Sequence, residues 1–158
     1  MAARRRRSGL VAAILAIAGL ALAPAASADA TDSLRAAIPA ARASVCGVTR
    51  SDPLIDQVAM EITESTDKHI NFASRSVPFD DAMLLLKDIG YVGATKAKIL
   101  SGAAPTAADS IKALLLQGSA PLADGFAVLP NCSLNAYGVA TKYNARKDVV
   151  IATAVLAG

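Results

Sequence analysis

The chain has 158 residues, with 16 basic and 13 acidic side chains, one histidine, two cysteines and no tryptophan. Four of the basic residues are the consecutive Arg4 to Arg7, which leaves 12 basic against 13 acidic residues in the rest of the chain. No basic stripe remains there, so nucleic-acid binding loses its electrostatic basis and is set aside.

The first 28 residues have the order of a secretory signal peptide. The arginines precede an apolar run from Gly9 to Ala23, and Ala26-Ser27-Ala28 supplies the small-x-small pattern that precedes cleavage. The run is shorter than the roughly 20 residues that span a bilayer. We therefore expect a protein that is secreted or held in the cell envelope, with one domain over residues 29–158 and no membrane span in its mature form. A retained anchor is the alternative, and the general and twin-arginine export routes both stay open.

Two helices are predicted in the first half of the mature chain. The stretch "TDSLRAAIPAARAS" contains helix formers, but Pro39 interrupts it, which predicts a short, broken or kinked helix. The stretch "SDPLIDQVAMEITESTDKHINF" is the strongest helix signal, with Asp52 as the N-cap and Pro53 at the first helical position. Its apolar face is predicted to follow a row with i, i+4, i+8 spacing, flanked by Ile55, Ala59 and Thr66; the row is Leu54, Val58, Ile62 and Ser65.

The second half predicts two more helices and a strand. A short helix in "PFDDAMLLLKDIG" is expected to be capped by Asp80 or Asp81 and ended by Gly90. The apolar stretch "KAKILSG" could form a strand. The stretch "PTAADSIKALLLQG" predicts a helix that opens with a capping box of Thr106 and Asp109 and stops at Gly118. "APLADGFAVLPNC" reads as irregular.

The last part of the sequence predicts an antiparallel hairpin, roughly over residues 135–143 and 148–156, around the turn "NARKD". The second run, "VVIATAVLA", is apolar on both faces, which is typical of a covered, central strand. Helices combined with a hairpin indicate the α+β class. A helical domain without a sheet is the alternative if the hairpin is misread.

Cys46 and Cys132 are the two cysteines, and an oxidising compartment favours a disulfide between them. It would close a loop of 86 positions, which removes about 4 to 5 kcal/mol of unfolded-chain entropy in the simple model. Two free thiols are the alternative.

His69 is the one histidine, and its sequence surroundings favour a structural role. Its neighbours on a helix face would be Ser65, Thr66, Phe72 and Ala73, none of which is an ordinary metal ligand. Zinc usually takes three or four ligands from Cys, His and carboxylates. We therefore expect no metal site and weak or absent zinc binding. The sequence also lacks a G-x-S-x-G elbow and a phosphate-binding glycine loop, so it offers no standard catalytic motif.

Five stretches resemble, in order, the segments of secreted CAP domains, the cysteine-rich secretory, antigen 5 and pathogenesis-related group. "RAAIPAARASVCGVTRSDPLIDQVA" is similar to the family's opening, and "MEITESTDKHINF" is similar to the segment with its first cavity histidine, which falls on His69. The other three are "IGYVGATKAKILSG", "TAADSIKALLLQGSAP" and the ending "YGVATKYNARKDVVIATAVLAG". The resemblance implies a CAP-like α-β-α sandwich with a C-terminal antiparallel hairpin.

The departures from the CAP pattern affect the expected site. The second cavity histidine has no counterpart, and the glutamate position falls at about Ala97, so the resemblance implies a dismantled cation site without a cofactor. Some CAP domains bind sterols or fatty acids in apolar grooves. The resemblance therefore implies a groove for a lipid or another hydrophobic molecule, with His69 at its polar end and Leu122 and Phe126 as candidate lining residues.

Three functions remain open. The first is a non-enzymatic domain that binds a hydrophobic ligand or a protein of the envelope or host. The second is a hydrolase in which His69 activates a serine such as Ser65 or Ser101, which would require a hydrogen bond between the two side chains. The third is a purely structural envelope protein. The lack of a catalytic motif favours a non-enzymatic protein.

Overall fold

The computed structural model describes residues 25–73, 78–121 and 127–158, with side chains from residue 28 onward. These residues form three layers, in which a four-stranded sheet carries helices on both of its faces. The elements in chain order are α1 (Ala25–Cys46), β1 (Arg50–Ser51), α2 (Pro53–Ile70), α3 (Ala82–Asp88), β2 (Ala97–Ala104), α4 (Ala107–Ser119), β3 (Ala136–Asn144) and β4 (Val149–Ala157). The predicted α+β class is confirmed, and the all-helical alternative is wrong.

The sheet has the strand order β1-β3-β4-β2. β1 runs parallel to β3, whereas β3 and β2 are both antiparallel to β4. The predicted hairpin is β3 and β4, displaced by one residue at each end. The predicted central position of the last strand is confirmed, because β4 lies between β3 and β2. The stretch "KAKILSG" forms most of β2.

The aliphatic composition of β4 gives the sheet two buried faces. Ala152, Ala154 and Leu156 pack against α1 and α4 on one face, while Val155 and Ala157 pack against α2 and α3 on the other. Alternate side chains of a strand point to opposite faces, so a strand that is covered on both faces is apolar at nearly every position. Thr153 is the polar exception in β4, and its hydroxyl is hydrogen-bonded to that of Thr63.

α1 continues through Pro39 over 22 residues, so the predicted short or broken helix is wrong, while the kinked alternative stays a prediction. Proline lacks an N–H and therefore leaves the carbonyl four residues earlier without its helical donor. That carbonyl belongs to Arg35, and the hydroxyl of Tyr137 in β3 donates a hydrogen bond to it over 2.9 Å. A contact from the sheet thus replaces the missing bond within the helix.

α2 begins as predicted, and its buried face includes Val58 and Ile62 of the predicted row and Ile55 and Ala59 of its predicted flank. The Asp52 side chain accepts a hydrogen bond from the N–H of Leu54 over 3.0 Å, and Pro53 is the first helical residue. Leu54 is 40% exposed, whereas Thr63 is completely buried. The Thr63 hydroxyl donates to the Ala59 carbonyl and is also hydrogen-bonded to the Thr153 hydroxyl, so the buried polar group is satisfied. The buried side chains are Ile55, Val58, Ala59, Ile62 and Thr63.

The predicted N-terminal caps of the other two helices, α3 and α4, are confirmed. Asp81 caps α3, and Gly90 follows its end with a φ of 76°. Thr106 caps α4 and bonds to Asp109, but Gly118 does not end that helix, which continues to Ser119. Gly118 is buried instead, and a Cβ there would collide with side chains of the core. Its small size serves packing between the helix and the sheet.

The predicted disulfide is present between Cys46 and Cys132, whose Cα atoms lie 4.9 Å apart. It joins the end of α1 to the segment before β3. Arg42, one turn earlier in α1, is 1% exposed and donates hydrogen bonds to the same segment. Two independent attachments therefore fix this segment against α1.

Candidate functional site

An open groove of about 690 Å³ lies between α1 and α4, on the outer surface of one helical layer. Its volume falls within the range of about 300–1,000 Å³ that is usual for small-molecule sites. The lining residues are Asp29, Ala30, Ser33, Ala107, Ala108, Ile111, Lys112, Leu115, Leu116 and Ser119.

α4 contributes two adjacent rows of side chains to the groove, because residues four apart lie on one face of a helix. The inner row is half-buried, and Ile111 and Leu115 in it also pack against the core. The outer row is exposed and contains Ala108, Lys112 and Leu116. The apolar floor of the groove is thus an extension of the core that reaches solvent.

The depression arises from small side chains that face one another. α4 begins with Ala107 and Ala108, and α1 contributes Ala30, which is 4% exposed, and Ser33. Larger residues at these positions would fill the space between the two helices. Leu116 is 63% exposed, lies on the solvent side of the groove and offers apolar surface to a ligand.

The polar groups of the groove are few and lie toward its rim. They are one carboxylate, one ammonium and two hydroxyls, from Asp29, Lys112, Ser33 and Ser119. Such a site suits a molecule with an apolar body and a polar end, which Lys112 would attract if that end were anionic. The lining set contains no histidine or cysteine, and the Ser119 hydroxyl donates a hydrogen bond to the Leu115 carbonyl over 2.8 Å.

His69 does not line this groove. It lies half-buried in the last turn of α2, and α2 packs on the face of the sheet opposite to α1 and α4. The expectation that His69 lies at the polar end of a ligand groove is therefore not met by the groove described here. A ligand contact of His69 elsewhere stays a prediction, as does its pairing with a serine. Leu122 and Phe126, the other two candidate ligand contacts, lie outside the described residues.

Metal ligands do not come together in the part of the chain that the structure describes. Within it, no group of three or more His, Cys, Asp or Glu side chains could hold a metal ion. The weak or absent binding of zinc stays a prediction, because titration of the protein is its test.

No model of a known protein family, no curated protein and no solved structure gives a significant match to this chain. The candidate site therefore rests on the geometry of the chain itself. Over the same described ranges, none of the helices has both the length and the apolarity required to cross a membrane.

The sequence contained only a partial signal for the groove. The spacing of Ile111 and Leu115 marked the apolar face of α4, but Leu116 and the two alanines before them looked like ordinary surface residues of a helix. The facing residues of α1 lie more than 70 positions earlier in the chain. Their approach to α4 could not be derived from local patterns.

Proposed function

We propose that this protein is an exported, non-enzymatic binding domain that holds a lipid-like amphiphile in the groove between α1 and α4. The observation that carries the proposal is the apolar surface that Ile111, Leu115 and Leu116 present in the groove, which is open to solvent and has few polar groups beside it. Contiguous exposed apolar surface rimmed by polar residues is typical of binding sites.

Export and kinship are separate parts of the proposal. The arginine-led apolar leader supports export, and the disulfide between Cys46 and Cys132 agrees with an oxidising compartment. The ordered resemblance of five segments and the helix–sheet–helix layering support a degenerate CAP domain. The ligand proposal stands on the groove and does not need that kinship.

The orientation of the amphiphile follows from the charges at the groove. An acyl chain or a similar apolar body would lie along the inner row of α4, over Ile111 and Leu115, and would reach Leu116. An anionic head group would then lie near the ammonium of Lys112. The carboxylate of Asp29 disfavours a head group that carries more than one negative charge.

A displacement assay with a fluorescent fatty acid and a fluorescent sterol tests the proposal on the protein exported by a bacterial host. Leu116→Gln should weaken binding about fivefold, since covering a leucine that is partly exposed contributes about 1 kcal/mol. Leu84→Gln in α3 is the matched control, because Leu84 is 60% exposed and Leu116 is 63% exposed. Equal effects of the two substitutions would contradict binding in the groove.

Two further measurements complete the test. Ala108→Trp, which fills the groove, should abolish displacement while the thermal midpoint of unfolding stays unchanged. Mass spectrometry of organic extracts from the purified protein should find a lipid that the Ala108→Trp variant lacks. Absence of saturable binding for both probes, together with no extracted lipid, would favour the structural or protein-binding alternatives.

A further inference from the structure

Phe72 occupies an unfavourable position just after α2. Its φ is 55°, in the left-handed region, and its residue is 86% exposed. The N–H of Phe72 donates to the His69 carbonyl and the N–H of Ala73 to the Lys68 carbonyl, which is the hydrogen-bond pattern of a Schellman cap. Glycine is the usual residue at this position, because side chains are strained there. Both the backbone and the solvent therefore disfavour a phenylalanine at this place.

The turn between β3 and β4 places two cations around Phe72. The Lys147 ammonium lies 5.2 Å from the centroid of the Phe72 ring, in a cation–π contact. The Arg146 guanidinium donates to the Asn71 carbonyl over 3.2 Å. Phe72, Arg146 and Lys147 are all exposed, and we name them together the Phe72 patch.

The acidic groups close to this patch have partners of their own. The Asp67 carboxylate forms an ion pair with Lys142 at 3.2 Å and accepts a hydrogen bond from Asn144 over 2.6 Å. The Asp148 carboxylate accepts a hydrogen bond from the Tyr143 hydroxyl over 2.7 Å. Lys142 thus neutralises Asp67, and Asp148 opposes the two cations of the patch.

Lys68 adds a further exposed cation in the last turn of α2, although Glu64 lies one turn before it. The end of the molecule that carries the Phe72 patch is therefore locally positive, whereas the chain without its leader has one more acidic than basic residue. An exposed aromatic ring within a positive region of an otherwise slightly acidic protein fits a partner that is both apolar and anionic.

We propose that the Phe72 patch docks the protein on a bilayer that contains anionic lipids. The ring would enter the boundary between head groups and acyl chains, while Arg146 and Lys147 would lie against lipid phosphates. A soluble polyanion would satisfy the cations but leave the ring in water, so the combination favours a lipid surface. The proposal does not depend on the groove between α1 and α4, which lies on the other face of the sheet.

Vesicle co-sedimentation tests the proposal on the exported protein. Binding is expected to vesicles of mixed phosphatidylglycerol and phosphatidylcholine and to be at least about tenfold weaker for phosphatidylcholine alone. Phe72→Ala should weaken binding about tenfold, as expected for loss of a buried ring. The double variant Arg146→Gln and Lys147→Gln should weaken it about 25-fold, at about fivefold for each cation.

The controls match the loss of apolar surface and of charge. Val92→Ala removes apolar surface from a residue that is 97% exposed, and the double variant Lys87→Gln and Lys96→Gln removes two exposed cations elsewhere. Both should bind as the unchanged protein does. Equal losses for patch and control variants would overturn the proposal, because they would indicate a response to net charge and apolarity alone.

Phe72→Gly separates docking from a structural role of the ring. Glycine relieves the left-handed strain, so the thermal midpoint should stay the same or rise while vesicle binding falls about tenfold. A clear fall in the midpoint with unchanged vesicle binding would overturn the proposal and assign Phe72 to stability. No binding to either vesicle, or binding to soluble heparin that survives Phe72→Gly, would also overturn it in favour of another partner. Leu116→Gln should leave vesicle binding intact, which keeps the result separate from that for the groove.

Discussion

Arg42 is the largest side chain that the core buries completely, and its removal should destabilise the protein more than most surface changes. All five N–H groups of its guanidinium can be matched to acceptors, so the charge is held by dipoles of the protein in place of water. The acceptors are the Thr49 hydroxyl (3.0 Å) and the carbonyl oxygens of Val128 (3.4 Å), Leu129 (2.7 Å), Asn131 (3.1 Å) and Leu134 (2.6 Å). Burial lowers the pKa of Arg42, which nevertheless stays protonated at neutral pH.

Arg42→Met keeps an apolar stem but removes the N–H donors of the Leu129 and Leu134 carbonyls, whereas the Val128 and Asn131 carbonyls keep backbone N–H donors within the segment. Each buried carbonyl that loses its donor costs about 1–3 kcal/mol. The exposed positions Cys132 and Ser133 allow water to reach part of the segment, so the individual costs will not add in full. We therefore expect a loss of about 4 kcal/mol, a large part of the 5–15 kcal/mol that is usual for a whole domain. Arg42→Lys should recover little, because an ammonium cannot reach acceptors on both sides of a planar guanidinium.

Urea denaturation followed by far-ultraviolet circular dichroism measures this loss, with Arg146→Met as a control that removes an exposed arginine. The slope of the free energy of unfolding against urea should stay constant if the variant keeps its fold. A loss below about 1 kcal/mol at constant slope would refute the reasoning. It would mean that water replaces the guanidinium at no cost, and that the disulfide alone fixes the segment.

Three other predictions concern single contacts. Replacing Cys46 and Cys132 together by serine should lower the free energy of unfolding by about 2–5 kcal/mol in urea denaturation, and two alkylatable thiols in the unreduced native protein would contradict the disulfide. Tyr137→Phe should lower the free energy of unfolding by about 1 kcal/mol in the same measurement, because the Arg35 carbonyl, which Pro39 leaves without a helical donor, then loses the tyrosine hydroxyl as well. An unchanged midpoint would show that water replaces the hydroxyl as the donor. The hydrogen bond to Asp148, followed by the charge of that carboxylate, raises the pKa of Tyr143 above its ordinary value of 10.0. This contact therefore stabilises the fold below about pH 10, and the stabilisation is lost as the pH rises through the higher folded-state pKa. Asp148→Asn should lower the pKa of Tyr143, which an ultraviolet titration of the phenolate measures. An unchanged pKa would contradict the contact.

Local chemistry explains which elements could be predicted from the sequence. Asp52 followed by Pro53 forms a helix start because the carboxylate accepts an N–H two residues on and proline needs no donor, and both causes are local. The run "VVIATAVLA" predicts a strand covered on both faces because it offers no polar side for solvent. In each case, the residues that cause the structure are neighbours in the chain.

The failed predictions involve partners far away in sequence. Pro39 does not break α1, because Tyr137 supplies the missing donor from 98 positions later. Thr63 is buried because its hydroxyl is hydrogen-bonded to that of Thr153, 90 positions later. The hydrophobic periodicity around Pro39 and Thr63 does not indicate these contacts, since proline and threonine occur equally well at exposed positions.

The groove shows why reactive side chains were a poor guide to the candidate site. The CAP resemblance implied that His69 lies at the polar end of a groove, yet the open apolar surface lies across the sheet from it. Alanine favours helices and is also small enough to leave a depression, so its sequence pattern cannot distinguish an exposed helix face from a groove. Ala107 and Ala108 line a groove only because Ala30 and Ser33 of α1 lie opposite them. In a chain with so few reactive groups, the shape of the surface carries more functional information than the chemistry of any single residue.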